Sequence, residues 1–237
     1  MTAALALYQN LALPLPWLPT TTATPLIIYG GSSAVGSFAI QLAVQSNIHP
    51  LICIAGKGTA HVESLIDKSK GDEVLDYRVG SAELSIALRA SIEKAGGKCA
   101  HAFDTICSDE SYVTVSQVLD PKTGKIAVIL PGKDYSRVAE GVKVEATYVG
   151  SVHGQEFIAE AREKKTGTKA GDQDFGYALF RLMGRGLQKG WFKGHPYEVV
   201  PGGLGGLEKA LTDLKGGKVS ATKLVFRIAD TEGAEGK

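Results

Sequence analysis

A short apolar segment that runs into a glycine- and serine-rich turn is the feature that most constrains the fold of this chain. Residues 25–36 read Pro-Leu-Ile-Ile-Tyr-Gly-Gly-Ser-Ser-Ala-Val-Gly, and apolar positions recur at helical spacing after the turn. Strand, tight turn and helix is the context in which a glycine motif binds a nucleotide phosphate. Unpaired N–H groups and a partial positive charge at the helix N-terminus favour a pyrophosphate there. The pattern predicts a nucleotide site on this turn.

The turn departs from the usual dinucleotide pattern G-x-G-x-x-G at one position. Gly31, Ser33 and Gly36 occupy the three motif positions, so serine replaces the middle glycine. Ser33 is small enough to lie beside a phosphate, and its hydroxyl adds a donor. The motif alone leaves a second interpretation open, in which the segment is a strand-to-helix turn with no ligand.

The rest of the chain alternates short apolar strands with single helices. We predict strands at 51–55, 73–76, 101–106, 125–130 and 142–149, and helices at 59–68, 82–94 and 111–119. Single helices between strands produce a parallel sheet with right-handed crossovers, and continuously apolar strands indicate burial on both faces. The predicted fold class is therefore α/β, with a doubly wound parallel sheet of Rossmann type and ligands beyond the carboxyl ends of the strands.

Composition excludes several classes of protein. The 237 residues are 44% hydrophobic and 22% charged, enough apolar material for a large core. A formal net charge of +1 without a basic block argues against nucleic acid as a partner, and no apolar run approaches the roughly 20 residues that span a membrane. Three dispersed cysteines, Cys53, Cys99 and Cys107, favour reduced thiols in a cytoplasmic protein.

The residues after the second and third strands bear on the choice of nicotinamide cofactor. NAD sites place Asp or Glu after the second strand to bind the ribose 2′-hydroxyl, but here the sequence is Ala-Gly-Lys-Gly-Thr over 55–59. Lys57 suits a 2′-phosphate, and Tyr77 after the third strand could stack beside adenine or donate its hydroxyl. We therefore predict NADPH. The alternatives are a solvated surface lysine and a half-buried aromatic residue.

Catalytic motifs are absent from the sequence. No tyrosine has lysine four residues later, which disfavours short-chain dehydrogenase chemistry, and no serine occupies a G-x-S-x-G elbow. The five histidines lack metal-ligand spacing. We assign no catalytic residue and no metal ligand, and we expect a mobile charged loop at residues 156–171.

Several ordered features together resemble a known superfamily. They are a helix at residues 2–9, the turn with Gly30, Ser33 and Gly36, and the stretch Gly-Asp-Glu-Val-Leu-Asp-Tyr-Arg at 71–78. Phe-Asp at 103–104, Gly-Lys at 124–125 and Lys-Leu-Val at 223–225 follow. This set resembles the cofactor-binding part of the medium-chain dehydrogenase/reductase superfamily, in its zinc-independent quinone-oxidoreductase-like and fungal trans-enoyl reductase branch.

The resemblance implies positions for each part of NADPH. It implies that Ser32, Ser33, Ala34 and Val35 lie at the pyrophosphate, with Lys57 and Tyr77 at the adenosine phosphate. It further implies nicotinamide-side and covering residues: Ile106, Ile129, Leu130, Leu224 and Val225. In this branch hydride passes from the nicotinamide to an activated C=C bond of an enoyl or enone substrate, or to a quinone, without zinc.

The resemblance also implies a domain organisation. Residues 1–24 would be a helix and linker left from an N-terminal catalytic domain, 25–190 the Rossmann dinucleotide-binding domain, and 191–237 a segment returning to the catalytic domain. We expect most of that catalytic domain to be missing. Strands at 195–200 and 222–228 would then expose apolar surface and favour a homo-oligomer. Two alternatives stay open: a module that binds NADPH without turnover, and a remnant that binds nothing.

Overall fold

A computed structural model describes residues 1–153 and 171–233 of the chain. The predicted charged loop at 156–171 lies, apart from its last residue, outside the described residues. The chain divides into two compact units, Met1–Lys193 and Gly194–Lys237.

A parallel sheet forms the centre of the first unit. Its six strands are β1 (Leu26–Tyr29), β2 (Leu51–Ala55), β3 (Glu73–Asp76), β4 (His101–Asp104), β5 (Lys125–Val128) and β6 (Lys143–Ala146). Their spatial order is β3-β2-β1-β4-β5-β6, and every neighbouring pair is parallel. The predicted doubly wound parallel sheet is confirmed.

Helices connect and cover these strands. They are α1 (Thr2–Ala4), which continues as a π-helix over Leu5–Asn10, and then α2 (Ala34–Gln45), α3 (Thr59–Glu63), α4 (Ser81–Lys94), α5 (Asp109–Ser116) and α6 (Asp172–Lys189). The prediction of a helix over 59–68 is wrong in its length. Asp67 is extended at φ −113° and ψ 95°, and its side chain caps a separate 3-10 turn over Lys68–Lys70.

The sheet is buried on both faces because successive strand residues point to opposite sides. In β1, Leu26 and Ile28 pack into the core layer that holds the N-terminal helix and α2. Ile27 and Tyr29 pack into the layer formed with α4 and α5. Strand β1 therefore contributes apolar side chains to two cores, as its continuously apolar pattern predicts.

A buried carboxylate fixes the amino-terminal edge of β2 and the loop that leads into β3. Asp72 accepts hydrogen bonds from the N–H groups of Leu51 and Asp67, at 2.7 and 2.9 Å. The ring Nδ1 of His49 lies 2.8 Å from the same carboxylate, and both side chains are buried. One side chain thus contacts three groups, two from the start of β2 and one from the loop that leads into β3.

The second unit is small and contains its own parallel strand pair. β7 (Tyr197–Val200) pairs with β8 (Lys223–Phe226), and α7 (Leu207–Lys215) lies between them in the chain. Leu207, Leu211 and Leu214 follow helical spacing in α7 and are 42, 56 and 48% exposed. Self-association through this surface stays a prediction.

None of the described helices combines the length and apolar character needed to cross a membrane.

Replacing Asp72 with alanine tests the role of this carboxylate in stability. We expect the free energy of unfolding to fall by about 3 kcal/mol or more, because each buried donor left without an acceptor costs about 1–3 kcal/mol. Denaturant unfolding measures the change. Asp134→Ala, on an exposed turn, is the control. Equal midpoints for the two variants would contradict the role given to Asp72.

Candidate functional site

The candidate site lies at the carboxyl edge of the first unit's sheet, where the strand order reverses. The chain moves outward from β1 through β2 to β3, and then returns to place β4 on the other side of β1. Loops that leave β1 and β4 therefore diverge, and they form the crevice in which doubly wound sheets bind ligands. The glycine turn follows β1, so it lies at this point.

Close packing of α2 against the turn determines the geometry of the site. Gly30 has φ +79°, a conformation that favours glycine. A Cβ atom at Gly36 would lie 2.2 Å from the Gly30 carbonyl oxygen and 2.9 Å from the Gly31 Cα. Helix α2 can approach the end of β1 this closely only because residue 36 has no side chain.

Backbone amides of the turn fall into two groups. The N–H groups of Gly31, Ser33 and Gly36 donate within the protein, to Ile54 O, Gly30 O and Ser33 Oγ respectively. Within the described residues, the N–H groups of Ser32, Ala34 and Val35 make no hydrogen bond. Amides of this second group are the donors that a bound anion would meet, together with the positive end of the α2 dipole.

The Ser33 hydroxyl is engaged on the inner side of the turn. It caps α2 by accepting from the Gly36 N–H at 3.0 Å, and it lies 3.0 Å from Thr105 Oγ1. Thr105 follows β4 and donates to the carbonyl oxygens of Tyr29 and Gly30, at 2.9 and 3.2 Å. The sequence analysis did not identify Thr105. Its position one residue after the β4 strand is the signal that could have pointed to it.

Lys57 and Tyr77 follow β2 and β3 at the same edge of the sheet. Lys57 is exposed, and Tyr77 is 48% exposed. A Cβ atom at Gly56 would lie 2.6 Å from the Tyr77 ring, so the ring packs directly on the backbone next to Lys57. The structure therefore brings the two residues predicted for the adenosine phosphate to one place.

Arg78 is paired with a neighbouring carboxylate. Its guanidinium contacts Asp76 at 2.5 Å through Nη2 and at 2.9 Å through Nε. Hydrogen bonds from Arg78 lower the pKa of Asp76 to about 2, so the carboxylate is ionised at neutral pH. The charge of Arg78 is therefore compensated locally by Asp76.

Ile106, Ile129 and Leu130 follow β4 and β5. Ile106 and Leu130 are each 46% exposed, and Ile129 is partly buried against both core layers. The Ile106 side chain lies over the turn, since a Cβ atom at Gly30 would come within 2.7 Å of it. Ile106 therefore lies beside the glycine turn, and Ile129 and Leu130 follow the neighbouring strand β5 at the same edge of the sheet.

Asp104 fixes the loop that carries Ile106. Its fully buried carboxylate accepts from the N–H groups of Ile106 and Cys107, both at 2.9 Å, and from Ser111 Oγ at 2.6 Å. Burial raises the pKa of the Asp104 carboxyl, and these hydrogen bonds oppose that shift. The carboxylate therefore acts as a structural acceptor behind the apolar surface.

Leu224 and Val225 lie in the middle of β8, in the second unit, where both are partly buried. The role of covering the cofactor stays a prediction for these two residues. Among the described residues, no group of three or more His, Cys, Asp or Glu side chains is arranged to hold a metal ion.

The chain is similar in sequence to curated fungal trans-enoyl reductases. The trans-enoyl reductase fsr4 of Gibberella fujikuroi is 46% identical over 203 residues, which cover 85% of this chain and 55% of the relative. The trans-enoyl reductase ACTTS2 of Alternaria alternata is 31% identical over 229 residues, which cover 96% of this chain and 62% of the relative. No protein-family model matches.

Solved structures share the fold. The structure of CurA from Vibrio vulnificus in complex with NADPH superposes with a TM-score of 0.57 at 16% identity, over 94% of this chain and 60% of that one. The chain is thus homologous to fungal trans-enoyl reductases, and the predicted resemblance is confirmed. It spans a little over half the length of these curated relatives.

Gly36→Ala tests the close approach of α2. We expect a loss of about 1–3 kcal/mol or more in the free energy of unfolding, because the new methyl group collides with backbone that cannot rotate away. Gly184→Ala in α6 is the matched control, since a Cβ atom there meets no described atom within 4 Å. It should stabilise the protein by up to about 1 kcal/mol through helix propensity. Destabilisation of similar size in both variants would refute the packing argument.

Proposed function

We propose that this homologue of fungal trans-enoyl reductases binds NADPH at the carboxyl edge of its sheet and serves as the cofactor-binding part of a reductase. The observation that carries the proposal is the glycine turn, in which Gly36 allows α2 to present the unbonded N–H groups of Ser32, Ala34 and Val35. This arrangement fits a pyrophosphate.

The choice of NADPH over NADH rests on the loop after β2. No carboxylate follows β2 at the position where NAD sites bind the ribose 2′-hydroxyl. Lys57 lies there instead, next in the chain to Gly56, against which the Tyr77 ring packs. A cation in this position attracts a 2′-phosphate, whereas a carboxylate would repel it. The solved CurA complex, which has the same fold, contains NADPH.

The proposed reaction is transfer of hydride to an activated C=C bond of an enoyl or enone substrate, or to a quinone, without zinc. NADPH supplies the hydride when it is bound. The residues of this chain hold the phosphates and present an apolar surface, formed by Ile106, Ile129 and Leu130, to the nicotinamide side. The reductase names of the relatives favour this reaction over a module that binds NADPH without turnover. A cytoplasmic location and a homo-oligomer remain part of the proposal.

Two measurements test the proposed function. Calorimetric titration of the purified chain should show tight binding of NADPH and weaker binding of NADH. Substrate-dependent loss of NADPH absorbance, in a panel of enoyl thioesters, enones and quinones, then separates a reductase from a binding module. Binding of neither nucleotide would overturn the cofactor assignment.

Lys57→Ala tests the 2′-phosphate assignment. We expect binding of NADPH to weaken by about 1–3 kcal/mol, the range for a charge-assisted hydrogen bond, while binding of NADH stays the same. Lys143→Ala is the matched control, because it removes an equal charge from the start of β6, at the opposite edge of the sheet. Equal losses of affinity for the two nucleotides would remove the 2′-phosphate role from Lys57.

A further inference from the structure

We propose that Thr105 is a positioning residue for the phosphate-binding turn. Its hydroxyl holds the Ser33 hydroxyl on the inner side of the turn, so that backbone amides alone meet the pyrophosphate. This inference rests on the proposed function, and it assigns to Ser33 a role different from the phosphate donor that the sequence suggests.

The direction of each hydrogen bond follows from groups that can act in only one way. The Gly36 N–H can only donate, so Ser33 Oγ accepts from it. The Tyr29 carbonyl can only accept, so the single hydroxyl proton of Thr105 points to it, at 2.9 Å. The Gly30 carbonyl, at 3.2 Å from Thr105 Oγ1, can likewise only accept, so the Thr105 proton is committed to the carbonyl side. We therefore assign the remaining contact of 3.0 Å, between the two hydroxyl oxygens, to the proton of Ser33.

This chain of hydrogen bonds leaves the Ser33 hydroxyl without a proton for a phosphate oxygen. A hydroxyl has one proton, and the proton of Ser33 is directed at Thr105 Oγ1. Its second function, capping α2, is also internal. The pyrophosphate therefore meets the amides of Ser32, Ala34 and Val35, which make no hydrogen bond within the described residues.

Thr105 also joins the turn to the nicotinamide side of the site. It is 5% exposed, and it precedes Ile106 directly in the loop after β4. A Cβ atom at Gly30 would lie 2.5 Å from Thr105 Oγ1 and 2.7 Å from Ile106 Cγ1. One hydroxyl group thus fixes the distance between the turn after β1 and the apolar surface after β4.

Thr105→Val and Thr105→Ser separate the hydroxyl from the shape of the side chain. Valine keeps the shape and removes the proton, and we expect it to weaken binding of NADPH and NADH equally, by about tenfold. Serine restores the hydroxyl and should bind both nucleotides within about threefold of the wild type. If the valine variant does not fold, Thr105→Ala removes the hydroxyl without adding bulk and carries the same comparison.

A control and a double variant make the readout specific. Ser46→Ala removes a buried hydroxyl at the far end of α2, where it contacts Tyr8 at 2.9 Å, and should lower the melting temperature without changing affinity. Combining Ser33→Gly with Thr105→Val should cost no more affinity than Thr105→Val alone, because both substitutions break the same chain of hydrogen bonds. Glycine is used at residue 33 because it is tolerated as an N-cap.

Hydrogen exchange provides a readout that needs no nucleotide. The amide of Gly36 should exchange faster in Thr105→Val than in the wild type and in Thr105→Ser. A valine variant with wild-type affinity and wild-type exchange would overturn the inference, as would additive losses in the double variant, which would indicate direct contact of Ser33 with phosphate. A wild-type chain that binds neither nucleotide would instead overturn the proposed function, while faster exchange in the valine variant would still support the hydrogen-bond chain.

Discussion

The contact between helix α2 and the Gly30 carbonyl is the constraint on which the rest of the site depends. Residue 36 must lack a Cβ atom for the first turn of α2 to lie this close to the end of β1. The same approach places Ser33 within reach of Thr105, and the positive φ of Gly30 brings the turn under the side chain of Ile106. Two glycines thus decide where the amides point and which loop they face.

Attraction for an anion at this site comes mainly from the backbone. The formal net charge of the chain is only +1, and Arg78, the basic side chain after β3, is paired with Asp76. The start of α2 presents a set of oriented N–H dipoles, and Lys57 follows β2. Fixed dipoles need no reorganisation when a ligand arrives, so in the proposed site they would bind the phosphates that all nicotinamide nucleotides share. A side-chain charge on a flexible stem is better suited to discriminate a 2′-phosphate.

The fold was predictable because its signals are local, whereas much of the site depends on contacts between distant residues. Strands β2 and β3 match the predicted bounds, since apolar runs between turn residues mark them clearly. Thr105 contacts Ser33 only because β4 pairs with β1 in the register that places Asp104 opposite Tyr29, and one sequence does not encode that register visibly. Arg78 directly follows Tyr77, but Asp76 lies two residues before it and neutralises its charge. The placement of Lys57, Tyr77, Leu224 and Val225 relative to a cofactor stays a prediction.

The nicotinamide side of the site shows why few ionisable groups are needed for the proposed chemistry. Ile106 and Leu130 are large apolar side chains left nearly half exposed, yet the loop of Ile106 is fixed by three hydrogen bonds to the buried Asp104. In the proposed function, this fixed and exposed side chain faces the nicotinamide. Hydride transfer needs alignment and exclusion of water more than it needs an acid or a base from the protein. In the proposed site, a rigid apolar surface next to fixed phosphate donors would supply both.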